Sequence, residues 1–197
     1  MPETIPCPLC GSCEASSLFK TRDHALELPG DFTYVRCANC GVVYLNPRPS
    51  WEERTAHYET RYLGYYNRQT AKSFFQRQAV TFGLRKRWRV ITPFVSGGRL
   101  LDVGCGSGDF VRWLQTRSAW QAFGVERNPG IGHAAQTIGG GKIILGDANK
   151  LAFPDESFET VMLWTALEHF EDPVSSLKEC VRVLRRGGVI AMRTVTR

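Results

Sequence analysis

The stretch "LLDVGCGSGDF", residues 100–110, decides the fold of this chain. An apolar run ends in Asp102, and glycines then alternate with other residues at Gly104, Gly106 and Gly108. The pattern predicts a buried strand from Arg99 to Val103 and a helix from Asp109 to Gln115. A strand, a glycine-rich turn and a helix together place a ligand site at the carboxyl end of a first parallel strand. The spacing D-x-G-x-G-x-G excludes two nucleotide loops. The dinucleotide fingerprint would need a glycine where Asp109 stands, and no Gly-Lys-Ser/Thr follows, as a phosphate loop requires. An acid here would also repel a diphosphate. The loop therefore predicts a cationic or zwitterionic ligand whose atoms approach the backbone closely.

The downstream chain extends this pattern. "QAFGVERNP" predicts a second strand ending in Glu126, 24 residues beyond Asp102, where an acid can accept from both hydroxyls of a ribose. "KIILGDA" predicts a third strand ending in Asp147 and Ala148, placed to meet an adenine edge. "ETVMLWTALEHF" predicts a fourth, with Glu168 and His169 just past its end. In "DPVSSLKECVRVLRRGG", Leu177, Val181 and Leu184 share one helical face, and Gly187 closes the helix. "GVIAMRTV" predicts a fifth strand.

The amino-terminal residues pose a separate problem. Cys7-Pro-Leu-Cys10 and Cys37-Ala-Asn-Cys40 form two C-x2-C pairs separated by 26 residues, each followed by a glycine, Gly11 or Gly41. Such glycines suit the left-handed backbone of a metal knuckle. Four thiolates around one tetrahedral point favour structural zinc, Zn2+, with an iron–sulfur site or free thiols as the alternatives. The intervening residues predict short strands around a Pro-Gly turn, as in a zinc ribbon. Cys13 is a spare, and His24 is a weaker candidate ligand than the four cysteines. Ser50 and Glu53 stand at capping-box spacing before a helix starting at Trp51. The region to about Phe94 predicts an aromatic-rich helical segment, with Tyr58, Tyr62, Tyr65, Tyr66, Phe74 and Phe75, that packs against the next domain or covers a ligand.

Composition narrows the classes further. The 197 residues carry 43% hydrophobic side chains, enough for a core, and a formal net charge of +6 that permits an anionic partner without demanding nucleic acid. The basic run "RKRWR", Arg85–Arg89, predicts a solvated helix face, with an anion-binding patch as the alternative. No apolar run approaches the ~20 residues of a membrane span, and the start has no basic n-region or apolar h-region. A cytoplasmic location is the expectation, with no membrane and no nucleic-acid partner.

Taken together, "LDVGCGSGDF", "GVERNP", "GDA", "FPDESFETVMLWTALEHFEDP" and "LRRGGVIAM" resemble the class I S-adenosylmethionine-dependent methyltransferases, in that family's order over about residues 97–195. The front end, "CPLCG…RCANCGVVYLNPRP", looks like the zinc-binding domain that precedes some of them. The expected organisation is a zinc-ribbon-like domain over 1–50, a helical linker or lid over 51–96, and a Rossmann-like α/β domain over 97–197. The resemblance implies S-adenosyl-L-methionine as cofactor and a small-molecule methyl acceptor, since the substrates of such relatives are often sugars or other small molecules. It implies that Asp102 and the loop Gly104-Cys105-Gly106-Ser107-Gly108 hold the methionine part, with Cys105 itself read as a small packing residue. Glu126 would grip the ribose, Arg127 and Asn128 flank the adenine, and Asp147 with Ala148 meet the adenine amine. Trp164 and Thr165 would line the methionyl side, with His169 either a base or a residue merely hydrogen-bonded at a strand end.

The family's sheet continues past a fifth strand with a helix and an antiparallel pair, which this sequence does not include. The expectation is a truncated form or a short homologue, with strand five an exposed edge open to self-association. A second class of function stays open: a zinc-ribbon recruitment module carrying a cofactor-binding but catalytically incomplete domain.

Overall fold

A computed structural model describes residues 2–23, 30–53, 73–139 and 142–194. The expectations on His24, Tyr58, Tyr62, Tyr65 and Tyr66 lie outside the described residues. The chain divides into two compact units, Met1–Tyr58 and Glu59–Arg197.

In the first unit, β1 (Ala15–Thr21), β2 (Phe32–Cys37) and β3 (Val43–Leu45) form an antiparallel sheet in that order. Its small core is Cys7, Val35, Cys37 and Tyr44, packed by Ile5 and Val42. Among the described residues so small an apolar cluster contributes little stability on its own. The capping box is formed: Ser50 N donates to Glu53 Oε2 at 3.0 Å, and Glu53 N donates to Ser50 Oγ at 3.3 Å. The two side chains thereby satisfy donors that would be orphaned at a helix start.

The second unit begins its described part with α1 (Phe74–Arg89). There follow β4 (Gly98–Val103), α2 (Asp109–Gln115), β5 (Trp120–Glu126), α3 (Pro129–Gly139), β6 (Ile143–Leu145) and β7 (Phe158–Trp164). A short 3-10 turn (Leu167–His169), α4 (Pro173–Val183) and β8 (Leu184–Arg193) complete it. The sheet is wholly parallel in the order β6-β5-β4-β7-β8. Side chains alternate along each strand, so the sheet is apolar on both faces. Leu100, Met162 and Ile143 meet α2, α3 and the Leu84 and Trp88 of α1 on one face. Leu101, Val103, Val161 and Leu163 meet Cys180 and Val183 of α4 on the other. Asp102 falls on the Leu100 face by the same alternation. The chain winds outward from β4 to β6 and then returns to β7, so the strand order reverses beside β4. Ligands of open parallel sheets bind at such a reversal, beyond the carboxyl ends of the strands.

The region after the fourth parallel strand departs from expectation. Helix α4 ends at Val183, and its buried stripe is Ser176, Cys180 and Val183 rather than Leu177, Val181 and Leu184. Val181 is 60% exposed, and Leu184 already belongs to β8. Asp172 sets the phase: its carboxylate accepts from Ser175 N at 2.9 Å, with Pro173 opening the helix. The Ser176 hydroxyl then donates to Asn149 Oδ1 at 2.6 Å, which lets a polar residue face the sheet. Gly187 does not close a helix. It sits with φ 76° inside β8, where the register jumps from the Phe158–Leu184 pair to the Thr160–Val189 pair and the Arg185–Gly188 residues bulge. Among the described residues β8 is an edge strand.

Candidate functional site

The loop after β4 is held by close packing and by hydrogen bonds to its neighbours. Gly104 and Gly108 have φ of 74° and 69°. A Cβ on Gly104 would lie 2.7 Å from Ala166 Cβ, and one on Gly108 would lie 2.1 Å from Ile143 Cδ1. Both positions therefore require glycine twice over, for conformation and for space. Gly104 N and Cys105 N donate to Val125 O at 2.8 and 3.0 Å, stitching the loop to the end of β5.

Glu126 completes that link. Its Oε2 accepts from Gly106 N and its Oε1 from Asn128 N, both at 2.9 Å. Two of roughly four acceptor sites on the carboxylate are used, which leaves capacity for hydroxyl donors. Burial pushes the Glu126 carboxyl above its ordinary range, and these amides work against it. Asn128 caps α3: its Oδ1 accepts from Ile131 N at 3.1 Å, so that oxygen serves the helix. Arg127 reaches Glu171 Oε2 at 2.8 Å and Asp147 Oδ2 at 3.7 Å, joining the ends of β5 and β6. Asp147 Oδ1 accepts from Asn149 N at 2.9 Å, and Ala148 beside it is buried.

Other expected site residues take definite places. Cys105 is buried, and burial raises its thiol well above the ordinary value. A Cβ on Gly124 would lie 2.6 Å from its Sγ, so the thiol packs where β5 has no side chain. Ser107 Oγ donates to Asp109 Oδ2 at 2.8 Å, which organises the first turn of α2. Trp164 ends β7, and Thr165 follows with φ 53°, a strained value for a β-branched residue. Thr165 N donates to Arg193 O at 2.7 Å, which holds that conformation. The His169 side chain is exposed in the 3-10 turn beyond β7.

Sequence reading missed Arg87. Arg85, Lys86 and Arg89 are exposed as a solvated face would be, but Arg87 turns inward and pairs with Asp102. Asp102 is fully buried, and burial pushes its carboxyl up while Arg87 beside it opposes that. The Arg87 guanidinium lies 4.2 Å from the Phe110 ring and 5.4 Å from that of Trp164. The signal was present in the sequence. Leu84, Arg87, Trp88 and Ile91 follow i, i+3, i+4, i+7 spacing, so Arg87 shares the stripe that faces the sheet.

In the first unit the four cysteine Sγ atoms lie within 4.8 Å of one another. The Cys7–Cys40 and Cys10–Cys37 pairs are each 3.6 Å apart. Sulfurs about 2.3 Å from one tetrahedral metal would stand roughly 3.8 Å apart, so the cluster fits zinc. The two pairs sit in matching turns. Gly11 N donates to Cys7 O at 2.9 Å and Gly41 N to Cys37 O at 3.0 Å, with φ of 74° and 75° at the glycines.

A parallel sheet of this order, with an acid-and-glycine loop where the order reverses, is a Rossmann-like α/β arrangement. Residues 101–192 match the family model described as a methyltransferase domain. A demethylmenaquinone methyltransferase of Roseiflexus sp. is 33% identical over 129 residues, covering 60% of this chain and 53% of that protein. A 2-methyl-6-phytyl-1,4-hydroquinone methyltransferase of Synechocystis sp. is 29% identical over 136 residues, covering 66% and 43%. The crystal structure of a SAM-dependent methyltransferase from Thermotoga maritima, described as a possible histamine N-methyltransferase, superposes with a TM-score of 0.52 at 25% identity. It covers 69% of this chain and 59% of that one. The chain thus spans about half the length of the curated relatives it matches. Among the described residues no helix is long and apolar enough to cross a membrane.

Proposed function

We propose that the protein is an S-adenosylmethionine-dependent methyltransferase acting on a small molecule, with a structural zinc held by Cys7, Cys10, Cys37 and Cys40. The observation that carries the enzyme reading is the Glu126 carboxylate bound to the glycine loop, with Asp102 and Asp147 at the ends of neighbouring strands. Three acids at those ends suit a ligand that brings hydroxyls, an amine and positive charge, and they disfavour a diphosphate. Glu126 would receive the ribose hydroxyls, Asp147 and Ala148 the adenine edge, and Asp102 with the Gly104–Gly108 backbone the methionine part. Trp164 and Thr165 would line the methionyl side.

The cofactor, when bound, supplies a methyl already activated by a sulfonium leaving group. The chain's own task is then to align an acceptor and exclude water. His169, exposed in the 3-10 turn beyond β7, would take a proton from an acceptor hydroxyl. The Roseiflexus and Synechocystis relatives are named for quinone-type acceptors, and we favour that class over a sugar-linked one. We also propose that the open β8 edge supports self-association, seen as a mass above the monomer in light scattering.

The test pairs binding with turnover. Calorimetric titration with S-adenosylmethionine should show one site per chain, and labelled methyl should pass from it to a hydroquinone acceptor. Absence of binding overturns the reading. Binding without transfer to any small-molecule acceptor favours a recruitment module instead, and steeply salt-dependent nucleic-acid binding would identify its partner.

A further inference from the structure

Arg87, in its buried pair with Asp102, has no assigned task in the site described above. It lies where the guanidinium meets the end of β4, the first turn of α2 at Phe110 and the end of β7 at Trp164. Those are the elements that converge on the ligand position. Asp102 uses only one oxygen there. Its Oδ1 accepts from Arg87 Nη2, whereas Oδ2 is buried with no hydrogen-bond partner among the described residues. A carboxylate oxygen held dry without a donor is a standing cost that a ligand donor would relieve. Arg87 is also under-used. Its Nε meets only the Met162 thioether at 2.8 Å, a weak acceptor, and its planar group is steadied between two aromatic rings.

We propose that Arg87 is a cofactor-binding residue. With Asp102 it forms a two-charge clamp for the zwitterionic α-amino-acid end of the ligand. The guanidinium takes the α-carboxylate, and Asp102 Oδ2 takes the α-ammonium. This inference rests on the reading of the site as one for S-adenosylmethionine. Charge arithmetic supports it. A buried ion pair that receives a zwitterion gains an opposite charge at each member and buries no net charge. An arginine suits this better than a lysine, because its fork can hold a carboxylate with two parallel bonds while a third donor stays on Asp102. The helix also gives the contact a structural basis. Leu84, Trp88 and Ile91 anchor the same stripe of α1 and its continuation in the apolar layer, so Arg87 is carried to the site by packing.

The opposing possibility is that the guanidinium merely stands in for the ligand's ammonium and must leave before the ligand enters. The two differ in sign. Calorimetry on the full chain with three ligands separates them: S-adenosylhomocysteine, decarboxylated S-adenosylmethionine, and 5′-methylthioadenosine, which lacks the whole amino-acid end. Arg87→Lys should weaken S-adenosylhomocysteine binding, and Arg87→Met should weaken it by at least about tenfold, one charge-assisted bond's worth or more. Neither should change 5′-methylthioadenosine binding more than about twofold, and decarboxylated S-adenosylmethionine should lose far less than S-adenosylhomocysteine. Because Arg87→Met leaves a buried acid alone and can unfold the unit, the double variant Arg87→Met/Asp102→Asn removes both charges together. It should keep 5′-methylthioadenosine binding and lose that of S-adenosylhomocysteine. Tighter or unchanged S-adenosylhomocysteine binding in these variants overturns the clamp, and so does an equal loss for all three ligands. If the unaltered chain binds none of the three, the reading of the site itself fails.

Discussion

Replacing Glu126 tests the link between loop and ligand most directly. Its carboxylate accepts from Gly106 N and Asn128 N at 2.9 Å each, so Glu126→Ala strands two backbone donors as well as removing the proposed ribose acceptor. A hydrogen bond to a charged group contributes about 1.5–3 kcal/mol. The burial that raises the Glu126 carboxyl offsets part of this, so the ligand-free unit should lose roughly 1–3 kcal/mol, read as a lower urea midpoint. Loss of the ribose acceptor and of loop order should weaken S-adenosylhomocysteine binding by at least about tenfold. Glu126→Gln is no rescue. With two N–H donors facing its two atoms, the amide must set its own NH2 group against one of them. 5′-Methylthioadenosine should weaken in parallel, because it keeps the ribose. Titration calorimetry on both variants decides the matter. Affinities within about twofold of the parent for both ligands would show that Glu126 does not meet the ribose.

Other outcomes follow from single contacts. Glu126 also sets a pH dependence. Its folded carboxyl sits above the ordinary value of 4.5, so the folded state holds a proton that the unfolded chain has released. Its contribution is full below 4.5 and is lost as pH rises through the raised value, so the stability advantage of parent over Glu126→Gln should shrink over that window in urea titrations. Gly108→Ala places a methyl 2.1 Å from Ile143 Cδ1 at φ 69°, and should cost about 2–5 kcal/mol from left-handed strain plus overpacking, measured by urea unfolding. Cys37→Ser should release one equivalent of zinc by metal analysis and loosen the first unit while the second keeps its unfolding midpoint; zinc retained in that variant would refute the assignment. His169→Ala should lower turnover and leave S-adenosylhomocysteine affinity unchanged, and equal turnover would remove His169 as a base.

Much of the second unit was legible because its signals are local. Buried parallel strands appear as short apolar runs, and the acids Asp102, Glu126 and Asp147 stand at or near the carboxyl ends of those runs. The helix from Asp109 to Gln115 and the strand ending at Glu126 are found where the pattern placed them. The cysteine pairs were equally plain, since x2 spacing with a following glycine is a property of the backbone turn alone.

The errors fall where several non-local contacts compete. The run after Pro173 contains more than one apolar stripe. Asp172, Asn149 and the bulge in β8 select the stripe through Ser176 and end the helix at Val183. Arg87 shows the same limit. A charged residue inside a basic run reads as solvated until a buried partner is known, and that partner, Asp102, is brought to it only when α1 packs on the sheet. Sequence by itself determined the strand order's raw material, the glycine loop and the four-cysteine turns, because each is set by neighbours along the chain. The choice of which polar groups are buried, and with which partners, was made by the tertiary structure alone, because desolvation has meaning only once distant segments have excluded water.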